Sequence, residues 1–185
     1  MGQEFKKKFI EKATPLSGEI KSFVKQHADF ALGVFTVEDV YAGMKGVIGL
    51  LTETSLLDAN EGIRFRGHTI PELRAKLPKV PGGTEPLPEG LFYLMVLGEI
   101  PTYEDVLKIQ EGWQQRAEVP AHVFAAIDAL PITTHPMTQF SIGIMAMQTE
   151  SVFAKAYRDG INKKDYWDPT YEDISNLLAR LPRIA

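Results

Sequence analysis

Apolar residues fall into helical spacing at Phe5, Phe9 and Ile10, and again at Ile20, Phe23 and Val24. Each set marks one face of a 3.6-residue period. Pro15 lies between them, so the pattern predicts two short helices, 4–12 and 16–27, broken at that proline, with lysines on the solvated opposite face. From 32 to 67 the period changes. Leu32–Val37 is short and β-branched, Ser55–Asp58 reads as a further extended piece, and Ile63–Arg66 alternates with period two. Asp58-Ala-Asn-Glu-Gly62 has turn chemistry and joins the last two. These segments are too few and too short for a large sheet.

Beyond Gly67 the helical period returns. Thr69 stands two residues before Pro71 as an N-cap for a helix over 72–77. Pro78–Pro88 reads as an exposed loop. Glu89–Leu97 is a dense apolar helix stopped by Gly98. Five further helical windows follow at Tyr103–Arg116, Ala121–Leu130, Pro136–Thr149, Ser151–Arg158 and Tyr166–Leu181. The fold class is therefore mainly α, with short β segments near residues 32–66. It divides into an N-terminal helical arm, 1–30, and a helical body, 31–185.

Two of these helices carry more information. In Pro136–Thr149, Met137, Phe140, Ile144 and Met147 lie on one side and Ile142 and Met145 on another. Ser141, Gly143 and Ala146 permit close helix approach. A helix apolar on all sides is buried in a core or at an interface. At the C-terminus, Tyr171, Ile174, Leu177, Leu178, Leu181 and Ile184 keep one apolar face running to Ala185, with Pro182 as an expected kink. A stripe that stops without a terminator reads as part of a longer protein.

Composition removes several function classes. The 185 residues hold 20 Lys+Arg against 24 Asp+Glu, a net charge of −4, so no basic surplus points to nucleic acid. With no Cys, disulfide scaffolds, thiol nucleophiles and Cys-ligated zinc are excluded. The longest informative uncharged run, Pro136–Thr149, is too short to span a bilayer. The first residues, MGQEFKKKFIEKATPL, lack the apolar core of a secretory signal and carry Glu4 and Glu11, which transit peptides avoid. The resulting expectation is a soluble, cytoplasmic protein of bacterial type.

Generic catalytic motifs are absent. Gly43-Met-Lys-Gly46-Val-Ile-Gly49 spaces its glycines by three, unlike a dinucleotide loop, and there is no H-E-x-x-H, Walker loop or G-x-S-x-G elbow. His27, His68, His122 and His135 are scattered without metal-ligand spacing. No metal site is expected.

Several motifs in unbroken order nevertheless resemble citrate synthase of the large, mitochondrial-like type. They are Gly62-Ile-Arg-Phe-Arg-Gly67 and its continuation to Glu72, Pro86-Leu-Pro-Glu-Gly-Leu-Phe92, Gly98-Glu-Ile-Pro-Thr102, His135-Pro-Met137 and Phe153-Ala-Lys-Ala-Tyr157. The resemblance runs from about Phe30 to Ala185 and covers the N-terminal portion of that family. It implies a mainly helical homodimer that condenses acetyl-CoA with oxaloacetate to citrate and CoA, with no tightly bound cofactor. The family's base, its two histidines and its oxaloacetate-binding arginines match nothing here. No catalytic residue is assigned, and the 185-residue chain alone is expected to be inactive.

Two positions match family positions that contact CoA, Lys45 and Lys163. The family often has Arg at both, and lysine keeps the point charge for a phosphate while losing the bidentate fork. Glycines at 43 and 46 would let the backbone approach a ligand. The competing reading is two solvated surface lysines. The resemblance also implies a subunit interface through helix 136–149, against an ordinary core helix. Alternatives for the whole are 2-methylcitrate synthase, using propionyl-CoA, and a non-catalytic helical dimerisation module.

Overall fold

A computed structural model describes residues 2–185. The chain forms two compact units, 2–106 and 107–185.

The first unit opens with helix α1 (Gly2–His27), which runs unbroken through Pro15. The two-helix expectation is corrected here. Proline removes one backbone donor and costs about 3 kcal/mol inside a helix, and strong docking of the first three turns outweighs that loss. Phe5 is buried, stacked on Phe92 at 5.6 Å and edge-on to Tyr93 at 5.7 Å. Lys8 Nζ donates to Tyr93 OH and Asp105 Oδ1, both at 3.2 Å. Lys12 Nζ donates to Leu97 O at 2.9 Å and Glu99 Oε2 at 2.7 Å. These two lysines are anchors, not members of a solvated face. The distal apolar residues Leu16, Ile20, Phe23 and Val24 are exposed.

Residues 32–37 form no strand. Thr36 instead caps the short helix α2 (Val37–Tyr41) through a reciprocal capping box with Asp39. The sheet is a three-stranded antiparallel ribbon of β1 (Ser55–Asp58), β2 (Gly62–Phe65) and β3 (His68–Thr69). In the first turn Asp58 Oδ1 accepts from Asn60 N and Glu61 N at 2.7 and 2.9 Å. The second is a two-residue loop, Arg66-Gly67, with both φ values positive, which matches the twist of the strands. Arg66 holds that strained backbone because its guanidinium donates twice to Met95 O, at 3.1 and 2.8 Å.

Thr69 caps α3 (Ile70–Lys76) with Glu72 as its reciprocal partner, and α4 (Pro88–Leu97) ends on left-handed Gly98. Leu73, Leu77 and Leu94 form the core between them, with Phe65, Leu91 and Ile100 packed against it.

The boundary between units falls within α5 (Tyr103–Gln114). The second unit continues with α6 (Ala121–Asp128), α7 (Pro136–Ala146), α8 (Val152–Arg158) and α9 (Trp167–Ile184). Helix α7 gives way to a 3₁₀ turn at Met147–Glu150, and α9 continues helical through Pro182. Val119, Val123 and Met147 are the core, covered by Ile127, Ile144, Leu177 and Ile184. The apolar C-terminal stripe thus has a use within the unit. Gly143 is its tightest point. A Cβ there would lie 2.8 Å from Ile184 Cγ2 and 2.9 Å from Ile127 Cδ1, so this close approach is made within the chain. Met137, Ser141 and Met145 are left on the exposed side of α7.

Candidate functional site

Lys45 belongs to the first unit. Helix α2 ends at Ala42, and Gly43, Met44 and Gly46 follow with positive φ values of 73°, 61° and 82°. Met44 N donates to Asp39 O at 2.7 Å and Val47 N to Met44 O at 3.1 Å, which ties the loop to the helix. A β-carbon is tolerated poorly at such φ values, and glycine supplies two of the three positions. Met44 is the strained exception. The loop presents exposed Lys45 on a groove of about 580 Å³, lined also by Phe30, Leu32, Phe35, Asp39 and Ile48. Asp39 is engaged elsewhere. The hydroxyl and N–H of Thr36 donate to its carboxylate and hold it below the usual carboxylate range. No Cβ contact within 4 Å exists at Gly43 or Gly46, so the backbone there is open.

Lys163 belongs to the second unit. Asp173 of α9 accepts from Ser151 Oγ at 2.6 Å, Val152 N at 2.7 Å and Phe153 N at 3.1 Å, fixing the start of α8. The end of α8 closes through Gly160, at φ 82°, with Ile161 N donating to Ala156 O at 3.1 Å. Asn162 Oδ1 then accepts from Lys164 N at 3.1 Å and opens a 3₁₀ turn at Lys163–Asp165. Beneath the loop Tyr166 meets Phe153 edge-on at 5.2 Å and Tyr157 at 6.1 Å. Lys155 pairs with Asp159 at 2.6 Å and, by hydrogen bond and charge, lowers its pKa. Among the described residues no carboxylate pairs with Lys163 or Lys164. The turn therefore presents two ammonium groups that form no ion pair, with Asp165 as its third residue.

The histidines serve the fold. His135 caps α7, its Nδ1 accepting from Met137 N at 3.1 Å. His122 Nε2 lies 3.1 Å from Ala146 O, His68 Nδ1 lies 3.3 Å from Lys76 Nζ, and the His27 ring packs against Phe23. Among the described residues no three His, Asp or Glu side chains group as a metal site. None of their helices is long and apolar enough to cross a membrane.

A protein-family model described as "Citrate synthase, C-terminal domain" matches residues 43–185, which include both lysine loops. The chain belongs to the citrate synthase family. It is 49% identical over 183 residues to the mitochondrial citrate synthase of Saccharomyces cerevisiae, covering 99% of this chain and 38% of that protein. It is also 49% identical over 180 residues to the mitochondrial 2-methylcitrate synthase of Yarrowia lipolytica, covering 97% of this chain and 39% of that one. The chain thus spans well under half the length of these citrate synthase relatives. A solved citrate synthase of Thermoplasma acidophilum, in ternary complex with carboxymethyl coenzyme A and oxaloacetate, superposes with a TM-score of 0.56. That likeness, at 22% identity over 77% of this chain and 33% of the other, concerns the fold.

Membership confirms the family and the mainly helical class read from the motifs. It corrects the cytoplasmic, bacterial-type expectation. The similar citrate synthases of Saccharomyces cerevisiae and Daucus carota are named mitochondrial, and acidic residues near the first methionine were no guide to compartment. Sequence reasoning also missed Asp173 as the anchor of α8, because its partners lie 20–22 residues away. The Ser151-to-Asp173 link has no local signature.

Proposed function

We propose that this chain is part of an enzyme that condenses acetyl-CoA with oxaloacetate to citrate and CoA, and that Lys45 and Lys163 hold phosphates of the CoA. Membership of the citrate synthase family supports the reaction. The observation that carries the site is the Lys163 turn, whose backbone Asn162 caps and whose lysine forms no ion pair with a carboxylate of the described residues. An ammonium at that place attracts phosphate as a point charge, and exposure makes the attraction sensitive to salt. Proton abstraction and carbonyl polarisation, which the family performs without a metal, are assigned to no residue of this chain. No tightly bound cofactor enters the proposal. CoA is substrate and product.

Citrate, not 2-methylcitrate, is the product we propose, following the Saccharomyces cerevisiae relative's name, and the mitochondrion is the proposed location. A second copy of the chain is the proposed partner of α7, through Met137, Ser141 and Met145. Thiol release tests the reaction in the enzyme that contains this chain. Acetyl-CoA with oxaloacetate should turn over faster than propionyl-CoA with oxaloacetate, and residues 1–185 alone should release no thiol. Faster turnover of propionyl-CoA would assign the methylcitrate reaction instead.

A further inference from the structure

On α9, Asp173, Asn176, Leu177 and Arg180 follow one another at the spacing of a single helical side. Arg180 is partly buried, and its Nε is buried without a hydrogen-bond partner. Among the described residues no carboxylate pairs with its guanidinium. Arg116 in the same unit is the contrast, since it pairs with Glu172 at 2.6 Å and donates to Asn176 Oδ1 at 2.9 Å. A guanidinium stays charged and carries five donors. Drawing one partly out of water with nothing to accept from it is unfavourable. The side chain is therefore placed for an acceptor that comes from elsewhere.

This side of α9 lines a pocket of about 190 Å³, together with Ile144 of α7 and with Met147 and Glu150 of the 3₁₀ turn. A water's share of the liquid is about 30 Å³, so there is room for an acid of roughly six non-hydrogen atoms. The lining narrows the class further. Arg180 offers the planar fork of donors that a carboxylate matches. Ile144, Met147 and Leu177 offer an apolar wall to a short hydrocarbon stem. Asp173 is spent on Ser151 Oγ, Val152 N and Phe153 N, and its charge and that of Glu150 oppose a second negative group on the ligand. We infer that the Arg180 pocket binds a single carboxylate on a short apolar stem, with its oxygens on the guanidinium and the stem against Ile144, Met147 and Leu177. Two sources carry that chemistry, a free short-chain monocarboxylic acid and a glutamate or aspartate side chain from elsewhere in the enzyme. The pocket contains neither Lys45 nor Lys163, so its ligand is independent of any phosphate contact there.

The test uses the enzyme that contains this chain, with butyrate as the probe and butyramide as its uncharged counterpart. With methionine labelled at its methyl group, the signal lost in Met147→Leu reports on the pocket. It should move as butyrate is added, with a dissociation constant of about 1 mM, and stay still with butyramide. Arg180→Met should raise that constant about tenfold or more. Arg180→Lys keeps the charge and loses the fork, and should fall between. That pattern assigns the pocket to a free acid. A wild type indifferent to butyrate, with folding weakened or lost in Arg180→Met and regained in Arg180→Lys, assigns the carboxylate to the enzyme itself. The same regain in a Glu150→Gln background shows that Glu150 is not that carboxylate. Lysine and methionine have stems of similar length, so a difference between them reads the charge and not the packing. The inference is overturned if butyramide moves the Met147 signal as butyrate does, or if butyrate binds Arg180→Met as tightly as wild type. It is equally overturned if the wild type ignores butyrate while Arg180→Met and Arg180→Lys are equally stable or equally impaired, or if the regain disappears with Glu150→Gln.

Discussion

Gly143 shows most clearly how a single position can be read for its size and misread for its partner. Its smallness was visible in the sequence, but the neighbours that demand it, Ile127 and Ile184, come from other helices of the same unit. An added methyl must displace two branched side chains by several tenths of an ångström. Gly143→Ala should therefore destabilise the protein by about 1–3 kcal/mol, as overpacking does, measured as a lowered urea midpoint with unchanged slope. An unchanged midpoint would show that the Ile184 end of α9 simply gives way. Asp173 is the complementary case, a residue without local signature that satisfies two N–H groups and a hydroxyl. Asp173→Ala leaves these donors at the start of α8 without their acceptor, and loss of such a cap costs roughly 1–2 kcal/mol. Because α8 leads to the Lys163 turn, the same variant should weaken CoA binding although it touches no part of CoA. Thr69, by contrast, was legible as a cap from Pro71 two residues on, because both signals are local, and Glu72 completes the cap from the third position.

Helix α1 was misread because propensity argued against a proline that tertiary contacts overrule. The anchors are Phe5, Lys8 and Lys12, and the two lysines pair with the carboxylates of Asp105 and Glu99. For Asp105, burial alone would raise its pKa, but the Thr102 hydroxyl and N–H and then Lys8 outweigh it and hold it below the usual range. Glu99 is lowered chiefly by its hydrogen bond from Lys12. A carboxyl whose pKa is depressed on folding stabilises above its unfolded pKa, and that contribution disappears as pH falls through the folded value. Docking of α1 should thus be constant near neutrality and weaken below the ordinary carboxylate range. Amide exchange of residues 5–12, followed from pH 7 to about pH 3, should show protection lost over that window. Protection that is unchanged throughout would mean that Phe5 packing alone holds the helix. The strand assignments divide on similar grounds. Period two with turn residues located β1 and β2, whereas Leu32–Val37 had strand composition without a pairing partner, and Thr36 with Asp39 turned its end into a helix cap.

For the chain as a whole, order of motifs was far more informative than any single one, and several of them mark a turn or cap that this fold needs at that place. The glycines of Gly62-Ile-Arg-Phe-Arg-Gly67 close both turns of the ribbon, and Gly98 ends α4. What could not be read was the assembly of the loops, since Tyr157, Tyr166 and Lys163 meet only through α8 and α9. The exposed face of α7 makes a separate prediction. If Met137 and Met145 pair with a second copy, Met145→Glu should place like charges in a two-fold contact and shift the enzyme toward monomer in light scattering at micromolar concentration. An unchanged mass would place the subunit contact elsewhere.

The decisive measurement is the steady-state kinetics of CoA release from acetyl-CoA and oxaloacetate by the enzyme that contains this chain, wild type against Lys45→Met and Lys163→Met, at low and high salt. Charge-assisted contacts at exposed sites are worth up to roughly 1 kcal/mol, somewhat more where water is excluded. The account predicts a KM for acetyl-CoA raised about 3–10-fold in each variant, kcat changed little, and a difference that shrinks as salt rises. An unchanged KM at low salt in both variants would return the two lysines to ordinary solvated surface, and no thiol release from the wild type would contradict the reaction itself.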